Sequence, residues 1–338
     1  MTISKRIDAL AELGTYLKLR DEALQAAILT AYHHNRWFTV ENIEQALQAV
    51  AAAFLEKSKL QEWMNHYKFP EVSNSKTIGI IMAGNIPLVG FHDFVCVFMS
   101  GHKARIKLSE KDNILLPHLL KVLTRINPDC ANYFEEIERL KGCEAVIATG
   151  SNNSARYFET YFGKYPHIIR KNRNAVAIFD GNETVDQLKA FGHDVFQYFG
   201  LGCRNVSKIY IPKDFNFDPM LTALHEHNEI VLHDKYKNNF DYNYTLVILN
   251  KTAYKANGCI ILTEEETVAS RIASMHFEYY SDEGSLLEKI KSKRDTIQCV
   301  IGNVSLEGIK VFPFGKAQEP GLMDYADGVD VMAFLLGL

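Results

Sequence analysis

The chain has 338 residues, which is too long for one compact core, so we expect two domains built around two sheets. Apolar residues make up 47% and charged residues 23%, a composition that excludes an intrinsically disordered chain. The formal net charge is -4 and the basic residues are spread along the chain, so we expect no nucleic-acid partner.

The first 70 residues are predicted to be helical. Apolar residues recur three and four positions apart through residues 4–19, 22–35 and 41–64. Acidic and basic residues alternate with the apolar ones at the N-terminus, which is unlike a signal peptide. No apolar stretch reaches the ~18 residues that a membrane-spanning helix needs. We therefore expect a cytoplasmic protein without a membrane span.

From Lys76 onward, strands and helices alternate. Strands are predicted at 77–83, 104–108 and 144–150, and helices at 88–101, 113–126 and 154–162. A second series has strands at 175–180 and 206–211 and a helix at 183–199. Four further strands are predicted at 245–250, 258–262, 275–280 and 298–302, before a short apolar C-terminal helix. The alternation predicts a parallel sheet with helices on both faces.

Six cysteines occur without a CxxC pair or a tight Cys/His cluster, so no zinc site is predicted. Cys96, Cys259 and Cys299 lie in apolar runs and are expected to be small buried residues. Cys203 lies instead in the loop GLGCRN, between a predicted helix and a predicted strand. A thiolate in such a loop is a candidate nucleophile, and an unreactive loop thiol is the alternative.

The loop GLGCRN is not a dinucleotide fingerprint, because it ends in Asn and follows a helix where GxGxxG would follow a strand. No complete GxGxxG occurs in the chain. A nicotinamide site therefore depends on other segments, which are, in chain order, MAGNIP at 82–87, RIKLSE at 105–110, IATGSNNSA at 147–155 and FGLGCRNVSKIYIP at 199–212.

Taken in this order, the four segments resemble the aldehyde dehydrogenase superfamily. Within it they resemble the acyl-CoA reductases, which include the fatty-acid reductase component of bacterial bioluminescence. The resemblance covers Lys76 to the C-terminus. It implies an α/β fold with a Rossmann-type cofactor domain at residues 1–171 and 306–338, N-terminal helices included, and a smaller α/β catalytic domain at residues 172–305.

The resemblance also implies roles for six residues. It places Cys203 at the acyl-transfer position and Asn85 in the oxyanion site, where a side-chain amide stabilises the charge that develops on a thioester carbonyl. The alternative for Asn85 is a plain turn that starts a helix.

The same resemblance assigns Lys107 and Glu110 to the adenosine ribose, with a solvated strand end as the alternative. It assigns Gly150 and Ser151 to the pyrophosphate, since N–H groups at a helix start favour phosphate. The alternative for Ser151 is an ordinary helix N-cap.

Two departures favour reduction within the superfamily. Hydrolytic aldehyde dehydrogenases carry a Glu-Leu-Gly-Gly-Lys segment whose Glu activates water, and this chain has IIRKNRN at residues 168–174. Thioester reduction needs no attacking water, so losing that base fits a reductase. The C-terminal tail, with Asp327 and Gly328, also resembles the reductase branch.

The sequence thus predicts NADPH-dependent reduction of an acyl-CoA, or of another acyl thioester, to an aldehyde. NADH is the second option, because Glu110 would repel a 2′-phosphate unless Arg105 or Lys107 offsets its charge. Two other functions stay open: an aldehyde dehydrogenase that works in the oxidative direction, and a catalytically silent acyl-binding scaffold. Self-association or a fatty-acid reductase partner subunit is compatible with the resemblance.

Three further groups of residues have two interpretations each. His225, His227 and His233 are more typical of a solvated helix face than of a metal site. His92 and Asp93 belong either to helix packing or to the surroundings of the active site. The basic run at residues 170–173 is either a solvated turn or a phosphate contact.

Overall fold

The computed structural model describes residues 1–69 and 74–338, and this part of the chain begins with four helices. They are α1 Ile3–Leu19, α2 Glu22–His34, α3 Val40–Phe54 and α4 Lys57–Asn65. Thr2, Asp21 and Thr39 each accept a backbone N–H at the start of one of the first three. The helical beginning is confirmed, except that the segment 41–64 is divided at Leu55 and Glu56, and Pro70 lies outside the described residues.

The first sheet is fully parallel. Its strands are β1 Thr77–Ile81, β2 Lys103–Lys107, β3 Phe134–Glu136, β4 Ala145–Thr149 and β5 His167–Arg170. They lie in the order β3-β2-β1-β4-β5, and every neighbouring pair is parallel. This is the order of a doubly wound dinucleotide-binding sheet, whose ligands bind beyond the carboxyl ends of the strands.

The helices that connect these strands are α5 Phe91–Ser100, α6 Leu115–Ile126 and α7 Asn152–Phe162. α5 begins three residues later than predicted. The reason lies in Leu88, whose φ of 57° is in the left-handed region and stops the helix from forming there.

The second series of elements forms a sheet of seven strands with helices between them. Its helices are α8 Val185–Phe196, α9 Phe217–His225, α10 Asp234–Leu249 and α11 Glu283–Ser292. Its strands are β6 Asn174–Ile178, β7 Val206–Pro212, β8 Tyr254–Ala256, β9 Ile261–Glu264, β10 Ser274–Tyr280, β11 Ile297–Gly302 and β12 Val311–Phe312. The order is β12-β11-β6-β7-β10-β9-β8, and only β8 pairs antiparallel with its neighbour.

One predicted strand of this series is wrong. Residues 245–250 belong to α10 and to the residue after it. The local run of β-branched and leucine residues favoured a strand, yet Tyr236, Phe240 and Asn243 form a buried stripe at helical spacing. The stripe packs against the rest of the unit, and this packing decides the conformation.

The chain divides into two units. The first contains Met1–Asn172 and Pro320–Leu338, including the C-terminal helix α12 Val331–Leu336, and the second contains Arg173–Glu319. The chain returns to the first unit at Pro320, later than the expected position near Leu306, because β12 still pairs with β11 of the second sheet. Among the described residues, no helix has both the length and the apolar character needed to cross a membrane.

A buried ion pair joins α5 to β5 in the first unit. Arg170, the last residue of β5, donates from Nη1 to Oδ2 of Asp93 over 2.6 Å and from Nη2 to Oδ1 over 2.9 Å. Only 6% of the Arg170 side chain and 9% of the Asp93 side chain are exposed. The solvated-turn interpretation of residues 170–173 is therefore wrong for Arg170, and Asp93 serves in packing α5 onto the sheet.

We predict that Arg170→Met lowers the free energy of unfolding by about 3–5 kcal/mol, because it leaves the Asp93 carboxylate buried without its cation. Urea unfolding at neutral pH measures the loss. The matched control is Lys171→Ala, which breaks the exposed pair between Lys171 and Glu159 and should change stability by less than ~1 kcal/mol. Equal effects of the two substitutions would contradict the prediction, and adding Asp93→Leu to Arg170→Met should restore part of the loss.

Candidate active site

The candidate nucleophile lies in the second unit. Of the six cysteines, only Cys143 and Cys203 are partly exposed, and the predicted burial of Cys96, Cys259 and Cys299 is confirmed. Cys203 occupies the turn between the end of α8 and the first residue of β7. The turn joins the carboxyl end of a helix to the start of a strand. The thiol therefore lies on a short connection between two rigid elements.

The connection begins with an abrupt change of backbone direction after α8. Tyr198, Phe199 and Gly200 have φ values of 52°, 59° and 74°, so three successive residues are in the left-handed region. Non-glycine residues adopt this region at a cost of roughly 1–2 kcal/mol each. Burial of the Tyr198 and Phe199 side chains offsets that cost, and the Phe199 ring packs on the ring of His233 at 4.3 Å between centroids.

Asn205 holds the Cys203 turn in place. Its Oδ1 accepts the backbone N–H of Gly202 over 2.8 Å. Its Nδ2 donates to the carbonyl oxygens of Asp194 at 3.1 Å, Val195 at 3.3 Å and Gln197 at 2.9 Å. The residue is only 1% exposed. One amide therefore caps the last carbonyls of α8, which lack partners within the helix, and ties the turn to them.

A second anchor runs through Asp194 and Arg204. Both Asp194 oxygens accept backbone N–H groups, from Gly315 at 2.6 Å and from Ala317 at 2.9 Å. The Arg204 Nε donates to the Ala317 carbonyl, and its guanidinium lies over the ring of Phe312. Burial raises the pKa of Asp194 to about 6, although the two hydrogen bonds act to lower it. Asp194 in α8, before the turn, and Arg204, directly after Cys203, are thus both bonded to residues 315–317.

We predict that Asn205→Ala destabilises the protein by about 1–3 kcal/mol, because a buried N–H and several carbonyls lose their partner. The loosened turn should also let iodoacetamide alkylate Cys203 several-fold faster, with alkylation of Cys143 unchanged. Urea unfolding and peptide mass spectrometry measure the two effects. The control is Asn239→Ala, whose exposed amide makes one bond to the Lys235 carbonyl. If both variants unfold and alkylate alike, Asn205 does not hold the turn.

The remaining candidate residues lie in the first unit, at the carboxyl edge of its sheet. Asn85 follows β1, Lys107 is the last residue of β2, Glu110 follows β2, and Gly150 and Ser151 follow β4. Because β1 lies between β2 and β4, the Asn85 turn stands between the other two positions. The structure brings these five residues to the edge at which parallel sheets bind ligands.

The Gly150–Ser151 turn is shaped by the start of α7. Ser151 accepts the backbone N–H of Ser154 over 3.1 Å and is the N-cap of the helix. A Cβ on Gly150 would lie 2.9 Å from both the Phe158 ring and the Ser154 Cβ, so only glycine fits without a shift. The N-cap interpretation of Ser151 therefore holds, and the N-terminus of α7 opens at the sheet edge, where N–H groups favour an anion.

Glu110 is exposed and Lys107 is half-buried. Arg105 is committed elsewhere, because its guanidinium pairs with Glu135 and donates to the Lys141 carbonyl at 2.6 Å. Arg105 is thus held by other acceptors. Of the two cations that could offset the Glu110 charge, Lys107 is the one that these contacts leave.

The three histidines at the end of α9 and after it, at residues 225, 227 and 233, make separate structural contacts. His225 is hydrogen-bonded to the Asn257 carbonyl at 2.8 Å, His227 packs on Phe196, and His233 caps α10. Only His225 is exposed, so a common solvated face is wrong for the other two. In the described part of the chain, no group of three His, Cys, Asp or Glu side chains is arranged to hold a metal ion.

His92 is a packing residue. Its ring stacks on Phe54 at 4.8 Å and on Tyr325 at 5.4 Å, and Nε2 lies 3.1 Å from the Leu322 carbonyl. Burial lowers the pKa of His92 to about 4, which keeps the ring neutral. The packing interpretation of His92 is therefore the one that its contacts support.

Sequence reasoning missed the carboxyl groups that shape these turns, Asp112 and Asp194. A weak signal exists for Asp194, since it is an acidic residue on the apolar side of the segment AFGHDVF. No such signal exists for Asp112, which follows two charged residues in a polar loop.

No protein-family model and no curated protein matches the sequence. Solved structures do match. Aldehyde dehydrogenase 21 from Physcomitrella patens, solved with its product succinate, matches with a TM-score of 0.71 at 11% identity, over 100% of this chain and 84% of that one. An NADP-dependent enzyme from E. coli matches with a TM-score of 0.69 at 12% identity, over 93% and 78%.

A NAD-dependent aldehyde dehydrogenase from Sinorhizobium meliloti matches with a TM-score of 0.68 at 10% identity, over 93% of this chain and 74% of that one. The chain therefore has the α/β fold of the aldehyde dehydrogenases, which confirms the predicted fold class. At these identities the likeness establishes the fold, and the roles of individual residues depend on the contacts described above.

Proposed function

We propose that the protein is an oxidoreductase that reduces an acyl thioester to an aldehyde with a nicotinamide cofactor. The observation that carries the proposal is a partly exposed cysteine on an anchored turn before β7, in a chain with the fold of aldehyde dehydrogenases. A thiol held between two rigid elements, with access to solvent, meets the requirements of a nucleophile.

In the proposed reaction the Cys203 thiolate attacks the thioester carbonyl and forms a new C–S bond. Asn85 donates its amide N–H to the oxyanion. The original C–S bond then breaks, the thiol of the donor leaves, and the acyl group remains on Cys203. The nicotinamide cofactor supplies a hydride when bound. Hydride addition would leave a thiohemiacetal oxyanion on Cys203, which collapses to the aldehyde and expels the Cys203 thiolate. The one proton that the overall reaction consumes goes to the departing donor sulfur, which leaves as a thiol.

The carboxyl edge of the first sheet fits a dinucleotide. The N–H groups at the start of α7 favour a phosphate group there, and Gly150 packs closely against Phe158 and Ser154 beside them. Lys107 and Glu110 lie at the end of β2, which is next to β1 and its Asn85 turn. In our proposal they bind a ribose hydroxyl. These residues bind and orient the cofactor in our proposal.

Reduction is favoured over hydrolysis by the segment that follows β4 and α7. Residues 168–174, where the resemblance places a water-activating glutamate, contain no carboxylate. Arg170 in this segment is bound to Asp93. A carboxylate that would activate water is thus missing from the position that the resemblance gives it, which favours the hydride as the second reactant in our proposal.

Oxidation of an aldehyde is the second candidate, because several structures with this fold are described as aldehyde dehydrogenases. It uses the same cysteine in the reverse direction. Assays in both directions, with and without coenzyme A, separate the two: the reductase consumes NADPH with acyl-CoA, and an oxidising enzyme forms reduced cofactor from an aldehyde.

We predict that incubation with acyl-CoA, without cofactor, adds one acyl mass to the protein at Cys203. Intact and peptide mass spectrometry detect the adduct. Cys203→Ala should abolish both the adduct and the NADPH consumption. The matched control is Cys143→Ala, which removes the other partly exposed thiol and should leave both unchanged. An adduct that persists in Cys203→Ala would assign the acyl transfer elsewhere.

We predict that Glu110→Gln improves NADPH binding relative to NADH, because removing a carboxylate near the ribose removes its repulsion of the 2′-phosphate. The measurement is the ratio of the two dissociation constants by fluorescence titration. Glu138→Gln, on the loop after β3, is the control for a simple change of net charge. An unchanged ratio in Glu110→Gln would place the ribose away from this loop.

A further inference from the structure

The turn that carries Asn85 has an unusual backbone. Residues 82–90 separate β1 from α5, and Leu88 within them has a φ of 57° although it is a buried leucine. A left-handed conformation at such a residue persists only where the surroundings enforce it.

The enforcing group is Asp112. Its Oδ2 accepts the backbone N–H of Leu88 over 2.8 Å. At the other end of the turn, a Cβ on Gly84 would lie 2.6 Å from the Ser109 Oγ and 3.2 Å from the Asp112 backbone nitrogen. The segment 109–112 therefore touches the turn both before and after Asn85 and fixes its course.

The N-terminal helices hold segment 109–112 in turn. The His34 ring, at the end of α2, is hydrogen-bonded to the Glu110 carbonyl at 2.6 Å. The Asn35 Nδ2 donates to the Lys111 carbonyl at 3.2 Å. Asp112 N donates to the Ser109 carbonyl at 3.1 Å and closes the segment on itself. A continuous set of contacts thus runs from α2 through segment 109–112 to the Asn85 turn.

Stability alone does not account for a carboxylate at this position. Asp112 is 9% exposed, and its Oδ1 is buried without a hydrogen-bond partner. Burial raises the pKa of Asp112 to about 6, so keeping it ionised at neutral pH opposes folding. Buried carboxyl groups that weaken the fold are typical of functional sites.

We infer that Asp112 is a positioning residue, which sets the Asn85 amide for the oxyanion by holding the Leu88 N–H. The inference rests on the proposed function. Asp112 acts through the backbone of the turn and touches no reacting atom. Segment 109–112 also carries Glu110, so one segment sets both the oxyanion turn and one contact proposed for the cofactor.

The test compares three variants of the full-length protein. Asp112→Ala removes the acceptor for the Leu88 N–H, while Asp112→Asn keeps an acceptor oxygen without the charge. Asp282→Ala is the matched control, because Asp282 also accepts a backbone N–H, that of Ser285 at 2.8 Å, at the start of α11. The readouts are the rate of acyl transfer from acyl-CoA to the protein, the dissociation constant of NADPH, and hydrogen exchange of peptides that cover residues 82–90.

We expect Asp112→Ala to slow acyl transfer by about tenfold to a hundredfold, the usual effect of a misplaced oxyanion donor. Hydrogen exchange at residues 82–90 should accelerate, and NADPH binding should change by less than about threefold, since Glu110 keeps its contacts with α2. Asp112→Asn should recover most of the rate. Asp282→Ala should lower the urea midpoint of unfolding through the loss of a helix cap, without a change in acyl transfer.

The outcomes separate two failures. If the wild-type protein forms no acyl adduct, the proposed function and this inference fail together. If the wild type reacts and folded Asp112→Ala reacts equally fast, only the inference fails. Should Asp112→Ala not fold, Asp112→Asn and the exchange data decide: exchange at residues 82–90 no faster than in Asp282→Ala would overturn the positioning role.

Discussion

Buried backbone N–H groups in turns need acceptors, and in this protein two buried carboxyl groups provide them. Asp112 accepts from Leu88 in the first unit, and Asp194 accepts from Gly315 and Ala317 in the second. Interior helix residues pair within the helix and strands pair with neighbouring strands, but a turn that leaves the end of a strand has neither kind of partner. Asp112 thus fixes the Asn85 turn directly. Asp194 fixes residues 315–317, to which Arg204 beside Cys203 is hydrogen-bonded.

The two carboxyl groups differ in how fully they are used. Both oxygens of Asp194 accept a hydrogen bond, so an amide in its place would set an NH₂ group against a backbone donor. Only one oxygen of Asp112 has a partner, so an amide there keeps the bond. Asp194 is therefore required by the local hydrogen bonds, whereas the charge of Asp112 is not.

Much of the fold was predictable because it depends on local patterns. Runs of β-branched residues gave β1, β2, β6 and β7, and the spacing of apolar residues gave the N-terminal helices. The strands β3 and β5 escaped prediction, since both are short and lie at the edges of the sheet, where fewer apolar residues are needed. Segment 245–250 was mistaken for a strand because its conformation depends on a stripe that begins at Tyr236.

The candidate site was predictable only in part, for a related reason. Glycines and a cysteine in short motifs mark the turns themselves, so the sequence alone points to the turns at Cys203, Asn85 and Gly150. One anchor is local, since Asn205 lies two residues from Cys203. Other anchors come from distant parts of the chain: Asp112 is 24 residues from Leu88, and Ala317 is 113 residues from Arg204. A single sequence does not reveal which distant pairs meet, and the strand order that brings them together is itself a tertiary property.

The anchors also determine how the fold responds to acid. Asp112 and Asp194 have folded-state pKa values of about 6, above the ordinary 3.8, so their burial opposes folding above pH 6 and this penalty disappears as the pH falls toward 4. The pKa of Glu278 is shifted in the opposite direction. Although burial raises its pKa, hydrogen bonds from Lys208, Lys289 and Lys293 lower it to about 2, so its contribution is present above pH 4.5 and is lost below.

The contrast separates two uses of a buried carboxylate. Glu278 is surrounded by cations and stabilises the second unit as an ion, at the edge of β10 and α11. Asp112 and Asp194 receive mainly backbone N–H groups, which hold a turn in one conformation but compensate the buried charge less completely. The ion pairs of Glu278 thus stabilise the fold. The buried carboxyl groups near the candidate site instead lower the free energy of unfolding while they hold the backbone in one conformation, as in a preorganised site.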